Sequence, residues 1–386
     1  MVGAARVDIT PTPNSLWLPL NIYDNERLYV RAIVFNNDGV YGAFISCELA
    51  FIKDPIYKAA NALVAAYLNT TTSNVIVSIT HAHSAGPAGV TTANQYGNAA
   101  LSTYPSVAEA ALAAVEKALL VMRPAKVGYN TGSAYHNVNR DALNPLTGRW
   151  TQASNTSGPV DREVQVLTFL STDATPEPLA AWTTIFSQQA AGDVNPLLRW
   201  TGTNNLASQN SIPVTGFELT HEPVEEAVRD AYVPFSKPDQ HYIRQLFDEL
   251  QALGIMVGEE VIRAMSLTSE WDSNPRIWSK QQNVTCPGRL RLDSAREGVQ
   301  GTYTSGPDID ILTGVVGLGD IAVAWVGCEI FMRIGWRIKD DSSMNKTMLV
   351  AMSNGQSSSG VCKIVQRDIP SIGCAIDALQ HILVLA

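Results

Sequence analysis

Residues 74–86, NVIVSITHAHSAG, join a run of β-branched residues to a pair of histidines. The apolar run is typical of a buried strand, and the glycine and proline after the histidines indicate a turn. Side chains two positions apart in a strand point to the same face, so His81 and His83 can converge on one site. Converging imidazoles suit a metal such as Zn²⁺. Two histidines that only hydrogen-bond to backbone at a strand end would give the same pattern.

Strand-like and helix-like apolar segments alternate along the chain. Strands are predicted at 28–35, 41–46, 74–80, 125–130, 164–171, 320–328 and 347–353, and helices at 54–68, 106–122 and 239–264. The first two strands form a predicted hairpin, because Asp38-Gly39 between them is a tight-turn dipeptide. The Gly317-x-Gly319 sequence lacks the third glycine and the helix of a dinucleotide-binding loop, so it indicates a turn. This order predicts an α/β fold with a mixed β-sheet core flanked by helices.

The composition is that of a globular protein with a large core. The chain has 386 residues, of which 46% are hydrophobic, and no linker divides it, so a single domain is predicted. A net charge of −9 without a polybasic patch disfavours nucleic acid as a partner. No apolar run reaches the length of a transmembrane segment. The five cysteines show no Cys-x-x-Cys spacing, which argues against a disulfide framework and a structural zinc cluster.

Six passages resemble, in the same order, the catalytic domain of the neutral/alkaline (non-lysosomal) ceramidase family. They are MVGAARVDITP (1–11), RLYVRAIVF (27–35), ITHAHSAGP (79–87), NVNRDALNP (137–145), QQAAGDVNP (188–196) and VGLGDIAVAWVGCEIF (316–331). The resemblance ends near Gly355. It therefore implies a ceramidase-like catalytic domain over 1–355, followed by an atypical C-terminal tail over 356–386.

The resemblance implies a zinc-dependent amidase that splits the amide of N-acylsphingosines into a fatty acid and a long-chain base. The family holds its zinc with two histidines, a glutamate and a tyrosine. On matching positions, His81 and Glu329 would be metal ligands, and His83 and Arg140 would face the substrate. A histidine near its pKa can pass a proton or stabilise an oxyanion, and an arginine offers several charged donors.

Two of the four implied ligands have no counterpart in this chain. No histidine occurs between His136 and His221, where the family places its second zinc histidine, and this indicates an internal deletion near 185–186. No tyrosine follows Tyr303, so the loop after Ser353-Asn354-Gly355 lacks the zinc tyrosine. His136 is a remaining candidate for a substitute ligand.

Asn195 stands where the family has a serine, in the passage Gly-Asp-Val-Asn-Pro. Asparagine cannot act as an alkoxide nucleophile, but it can hydrogen-bond a substrate hydroxyl or carbonyl. The substitution therefore argues against ceramide itself more than against hydrolysis by metal-activated water. These residue types also form turns, and a simple turn explains the passage equally well.

Two functions remain open from the sequence. The first is a zinc-dependent amidohydrolase acting on a small lipid-like amide, ceramide or a related molecule, with transient contact to a membrane surface. The second is a catalytically incompetent family member or an incomplete gene product, with a binding role or none. The resemblance implies secretion, whereas the lack of a signal peptide makes the cytoplasm the alternative expectation.

Overall fold

The structure is a computed structural model. It describes residues 1–9, 28–49, 52–80, 106–135, 137–146, 149–185, 194–196, 240–292, 302–328, 330 and 332–355. His81, His83, His136 and Glu329 lie outside the described residues, as does the tail over 356–386.

The described elements are strands and helices in alternation. The strands are β1 Val2–Asp8, β2 Tyr29–Asn37, β3 Val40–Cys47, β4 Val75–Ile79, β5 Ala125–Ser133, β6 Asn137–Asn144, β7 Arg149–Asn155, β8 Glu163–Ser171, β9 Pro178–Ile185, β10 Val194–Pro196, β11 Ile277–Arg291, β12 Tyr303–Leu318, β13 Ile321–Val326 and β14 Lys346–Val350. The helices are α1 Asp54–Tyr67, α2 Val107–Leu119, α3 Gln240–Ser266 and α4 Met332–Asp340.

These strands form four sheets in the described part of the chain. Their orders are β1-β2-β3-β4, β5-β8-β9, β10-β6-β7 and β11-β12-β13-β14. The first and last are mixed sheets, because β3 and β4 run parallel, as do β13 and β14, while their other pairs are antiparallel. The prediction of a mixed α/β fold is confirmed. The strands are divided among separate sheets, which strand-by-strand patterns do not specify.

Alternate residues of the central strands serve different cores. In β4, Val75 and Val77 pack beneath α1 and α2, whereas Ile76 points into the space between the sheets. In β13, Ala324 packs beneath α4, whereas Trp325 joins Ile76 in the same inter-sheet core. Since successive side chains of a strand point to opposite faces, this partition produces layers in the order helix, sheet, sheet, helix.

The β5-β8-β9 sheet completes the inter-sheet core. Leu167 and Phe169 of β8 pack into it together with Trp182 of β9. On the opposite face of β8, Val164 and Val166 pack against α3. Strands that are buried on both faces appear in the sequence as continuous apolar runs, which is why β4, β8 and β13 could be predicted.

Local signals explain where several elements begin and turn. The Ser106 hydroxyl caps α2 by accepting a hydrogen bond from the Glu109 N–H at 3.2 Å. The β2–β3 hairpin turns at Asp38 and Gly39, whose φ angles are +50° and +81°, as the Asp-Gly dipeptide predicts. The predicted turn at Gly319 joins β12 to β13.

Several strands carried too little periodic signal to be predicted. The outer half of β12 is exposed on both faces, so its sequence lacks apolar alternation. β6 carries the polar residues Asn137, Asn139 and Arg140, and β10 is three residues long. These strands are held by pairing, β12 with β11 and β13, and β6 with β7 and β10. Local patterns of apolar residues do not reveal such pairing.

Cys47 at the end of β3 provides a test of this packing. The side chain is buried, and burial, followed by the nearby Glu48 carboxylate, raises the pKa of its thiol to about 12. The reactive thiolate is therefore scarce at about pH 8.5, the ordinary pKa of a free cysteine. We expect iodoacetamide to leave Cys47 unmodified in the native protein and to alkylate it in denaturant, as measured by peptide mass spectrometry. Rapid alkylation in the native state would contradict the buried position.

Candidate functional site

The described residues include part of the predicted site. Arg140 lies in β6 and Asn195 lies in β10, and for both the backbone position is described. His81, His83 and Glu329 lie outside the described residues, but the strands that lead into them, β4 and β13, are described.

β4 is an edge strand that is buried along its whole length. Buried backbone N–H and C=O groups need hydrogen-bond partners, so the free edge of β4 has to be covered. Segment 352–354, which follows β14, covers it. Ser353 forms an antiparallel β bridge with Ser78, and the Asn354 N–H donates to the Val77 carbonyl at 2.8 Å.

The same segment contacts the end of β13. The Ser353 N–H donates to the Val326 carbonyl at 3.0 Å, and the Met352 N–H donates to the Cys328 carbonyl at 3.2 Å. The carboxyl ends of β4 and β13 therefore lie on either side of segment 352–354. Two strand spacings place these ends about 10 Å apart.

The junction that segment 352–354 forms between the ends of β4 and β13 lies directly before both predicted metal ligands in the sequence. His81 follows Ser78 by three positions, and Glu329 follows Val326 by three positions. Segment 352–354 therefore brings together the two strand ends that lead into His81 and Glu329, although the two residues are far apart in sequence.

The Asn354 side chain takes the place of a neighbouring strand along β4. Its Oδ1 accepts hydrogen bonds from the Val77 N–H at 2.8 Å and from Asn61 Nδ2 at 3.0 Å. Its Nδ2 donates to the Val75 carbonyl at 2.8 Å, and Asn61 Nδ2 donates to the same carbonyl at 2.8 Å. A carboxamide has the donor and acceptor of a peptide group, which lets it pair with a strand edge.

The backbone of this segment is in an uncommon conformation. Met352 and Asn354 have φ angles of +52° and +54°, a region that asparagine tolerates and methionine rarely adopts. Met352 packs in the core beneath α1 and α2, and the Tyr57 hydroxyl donates to its carbonyl at 2.8 Å. Burial raises the pKa of the Tyr57 phenol well above its ordinary value, so this donor stays protonated. Packing and this hydrogen bond offset the backbone strain.

Arg140 and Asn195 occupy neighbouring antiparallel strands. In the register of β10 and β6, Val194 pairs with Asn139 and Asn195 pairs with Val138. Asn195 therefore lies opposite a residue two positions from Arg140. The fold brings these two sequence passages together, and the three residues of β10 pair as a strand, where the sequence alone allowed a simple turn.

Two buried asparagines anchor β6. Asn137 Nδ2 donates to the Asp161 carbonyl at 2.9 Å, and Asn139 Nδ2 donates to the Pro159 carbonyl at 3.0 Å. Both bonds attach β6 to the segment that precedes β8. The position of Arg140 on β6 is fixed by this attachment.

A buried ion-pair cluster attaches α4 to the same segment. Lys339 Nζ lies 3.2 Å from Asp161 Oδ2 and also pairs with the Glu163 carboxylate. The Lys339 and Asp161 side chains are only 13% and 5% exposed. Because α4 begins at Met332, shortly after Glu329, this cluster links the Glu329 passage to the β6 passage that carries Arg140.

Sequence reasoning did not single out Tyr57, Asn61 or Lys339. Asn61 lies on the buried face of α1 among apolar neighbours, and a polar residue on an apolar helical stripe was the signal that could have identified it. Tyr57 pairs with Met352 and Lys339 pairs with Asp161, both far away in the chain. The sequence around Tyr57 and Lys339 gives no sign of these partners.

Within the described ranges, no three His, Cys, Asp or Glu side chains come close enough to hold a metal ion. His81 and Glu329 lie outside those ranges. None of the described helices has both the length and the apolar character needed to span a membrane.

The fold matches that of solved ceramidase structures. A neutral ceramidase from Pseudomonas aeruginosa superposes with a TM-score of 0.60 and 13% identity, over 99% of this chain and 73% of that one. A structure described as ceramidase complexed with C2 superposes with a TM-score of 0.62 and 14% identity, over 99% of this chain and 74% of that one. No protein-family model and no curated protein matches the sequence. The chain therefore has the neutral ceramidase fold.

Asn354→Ala should destabilise the protein by about 3 kcal/mol, because the buried Val77 N–H loses its acceptor and a further donor is removed. Urea denaturation measures this loss. Asn69→Ala is a matched control, since Asn69 also has a positive φ, +50°, but is exposed. We expect the control to lose about 1 kcal/mol or less. Equal losses in the two variants would show that the Asn354 side chain does not hold the junction.

Lys339→Met should cost about 3 kcal/mol, because it leaves the buried Asp161 carboxylate without its cation. Arg337→Met, on the same helix, removes an exposed ion pair with Asp341 and should cost less than about 1 kcal/mol. Chemical denaturation of both variants measures the difference. A Lys339 variant as stable as the Arg337 variant would refute a structural role for the buried cluster.

Proposed function

We propose that this chain is a zinc-dependent amidohydrolase that hydrolyses the amide bond of N-acylsphingosine-like lipids to a fatty acid and a sphingoid base. The observation that carries the proposal is that β4 and β13 converge on segment 352–354. Ser78 and Val326, which contact Ser353 there, lie three positions before His81 and Glu329, respectively. The match of 99% of the chain to the neutral ceramidase fold supports it. The proposed catalytic domain spans 1–355.

In this proposal His81 and Glu329 are the metal ligands. An imidazole and a carboxylate are ordinary zinc donors. Zinc held there would supply a Lewis acid and lower the pKa of a bound water toward neutrality.

The other proposed residues bind the substrate and move protons. His83 would donate a proton to the departing amine nitrogen, a role that an imidazole can fill at neutral pH. Arg140 would donate hydrogen bonds to a substrate hydroxyl or to the carbonyl oxygen as negative charge develops there. Asn195 would hydrogen-bond a substrate hydroxyl or carbonyl through its carboxamide. The pairing of β10 with β6 supports a shared role for Arg140 and Asn195.

The second candidate function is a non-catalytic protein with the same fold, or an incomplete gene product. The observation that favours it is the absence from the sequence of counterparts to the second zinc histidine and the zinc tyrosine. Each missing ligand removes coordination free energy, so a site with two protein donors would hold zinc weakly. A metal measurement distinguishes the two candidates.

A lipid-like substrate has to be taken from a membrane or micelle surface, so we propose transient contact with such a surface. We also propose an extracellular location, on the basis of the resemblance to the ceramidase family. The cytoplasm is the alternative.

The purified protein, dialysed against a weak chelator, should retain close to one zinc per chain by plasma mass spectrometry. His81→Ala and Glu329→Gln should each lose that zinc and the hydrolysis of N-acylsphingosine, because each removes a ligand. His241→Ala, on α3, is the matched histidine control and should retain both.

If the wild-type protein retains no zinc and has no amidase activity, the enzyme proposal is overturned and the non-catalytic alternative is favoured. If the His81→Ala variant retains zinc, the metal lies elsewhere and the ligand assignment is refuted.

A further inference from the structure

The face of the first sheet that points toward the inter-sheet core ends in a polar row. The register aligns Arg6 of β1 with Arg31 of β2, Arg31 with Ser46 of β3, and Ser46 with Ser78 of β4. The remainder of this face is apolar. Arg6 and Arg31 are thus direct cross-strand neighbours, although like charges in that position destabilise an antiparallel pair.

Nearby groups compensate only part of this charge. Glu48 Oε1 accepts a hydrogen bond from Arg31 at 2.5 Å, and Glu48 Oε2 accepts one from the Tyr29 N–H at 2.8 Å. Both guanidinium groups lie over the Tyr29 ring, with Cζ 4.4 Å from the ring centroid for Arg6 and 4.8 Å for Arg31. The Glu48 carboxylate also interacts electrostatically with Arg6 at longer range, and among the described residues no carboxylate forms a salt bridge with Arg6. The two guanidinium groups therefore share the Glu48 carboxylate, which forms a salt bridge with Arg31 only.

The two arginines line a cleft of about 470 Å³ between β1–β2 and β9. Small and apolar side chains form its walls, among them Ala4, Ala180 and Trp182. Glu48 does not line it. The volume lies within the range of small-molecule sites, and the combination of apolar walls with a few convergent polar groups is typical of them.

We propose that this cleft binds an amphiphilic carboxylate. The carboxylate group would lie against Arg6 and Arg31, because the planar guanidinium fork matches its two oxygens. The aliphatic chain would lie against Ala4, Ala180 and Trp182, where apolar surface is removed from water. The protein as a whole carries a charge of −9, so an anion binds here only through this local pair of arginines. The site uses none of the residues assigned to hydrolysis and goes beyond the proposed function.

Isothermal titration of the full, metal-free chain with decanoate tests the site without depending on zinc or amidase activity. We expect one decanoate per chain, binding at least about tenfold more tightly than decanol or acetate, since each control lacks half of the proposed contacts. Affinity should also fall as salt is raised.

Arg6→Gln should weaken decanoate binding about tenfold, the loss expected for one charge-assisted hydrogen bond. Ala180→Phe, which fills the cleft without changing any charge, should weaken it at least as much. Arg123→Gln is the matched control, because Arg123 is an exposed arginine outside the cleft that pairs with Asp173 and Glu177. The Arg123→Gln variant should bind decanoate with the affinity of the wild type.

Three results would overturn the proposal. They are no saturable decanoate binding, equal affinity for decanol, and an affinity that neither Arg6→Gln nor Ala180→Phe reduces. A reduction by either cleft variant counts only if its melting temperature matches the wild type. If both unfold, competition between decanoate and a fluorescent fatty acid on the wild-type protein replaces them, and failure to compete refutes the site.

Discussion

The buried edge of β4 is the constraint on which the rest of this structure depends. A strand edge removed from water needs partners for its N–H and C=O groups, and no fifth strand pairs with β4 in the described part of the chain. Segment 352–354 and the Asn354 carboxamide provide those partners. Because the Ser353 N–H also donates a hydrogen bond to the Val326 carbonyl at the end of β13, the segment that covers the edge of β4 joins two sheets.

The layered packing makes that junction possible. Alternate residues of β4 and β13 point outward to the helices and inward to one shared core, so the two sheets face each other across Ile76 and Trp325. The carboxyl ends of both strands then meet at segment 352–354. The polar row that begins at Arg6 and Arg31 ends at Ser78, which bridges to Ser353, so the proposed cleft and the junction belong to one continuous line across the sheet.

Much of the fold could be predicted from the sequence, because strands and helices that are buried have strong local patterns. The segments of β4, β8, β13, α1 and α2 were predicted close to their observed bounds. β6 and β10 were not, since their stability comes from pairing with each other and from the buried bonds of Asn137 and Asn139. The roles proposed for Arg140 and Asn195 came from the family resemblance, and only the structure shows that their strands pair.

The sequence by itself determined the mixed α/β character, the hairpin at Asp38-Gly39 and the residue types available for metal chemistry, because each is encoded in a few adjacent residues. Only the tertiary structure decided which strand ends meet, that the Asn354 carboxamide completes β4, and that Lys339 pairs with Asp161. Those contacts join residues far apart in the chain, and burial makes them necessary, since polar groups removed from water have to find partners wherever the fold places them.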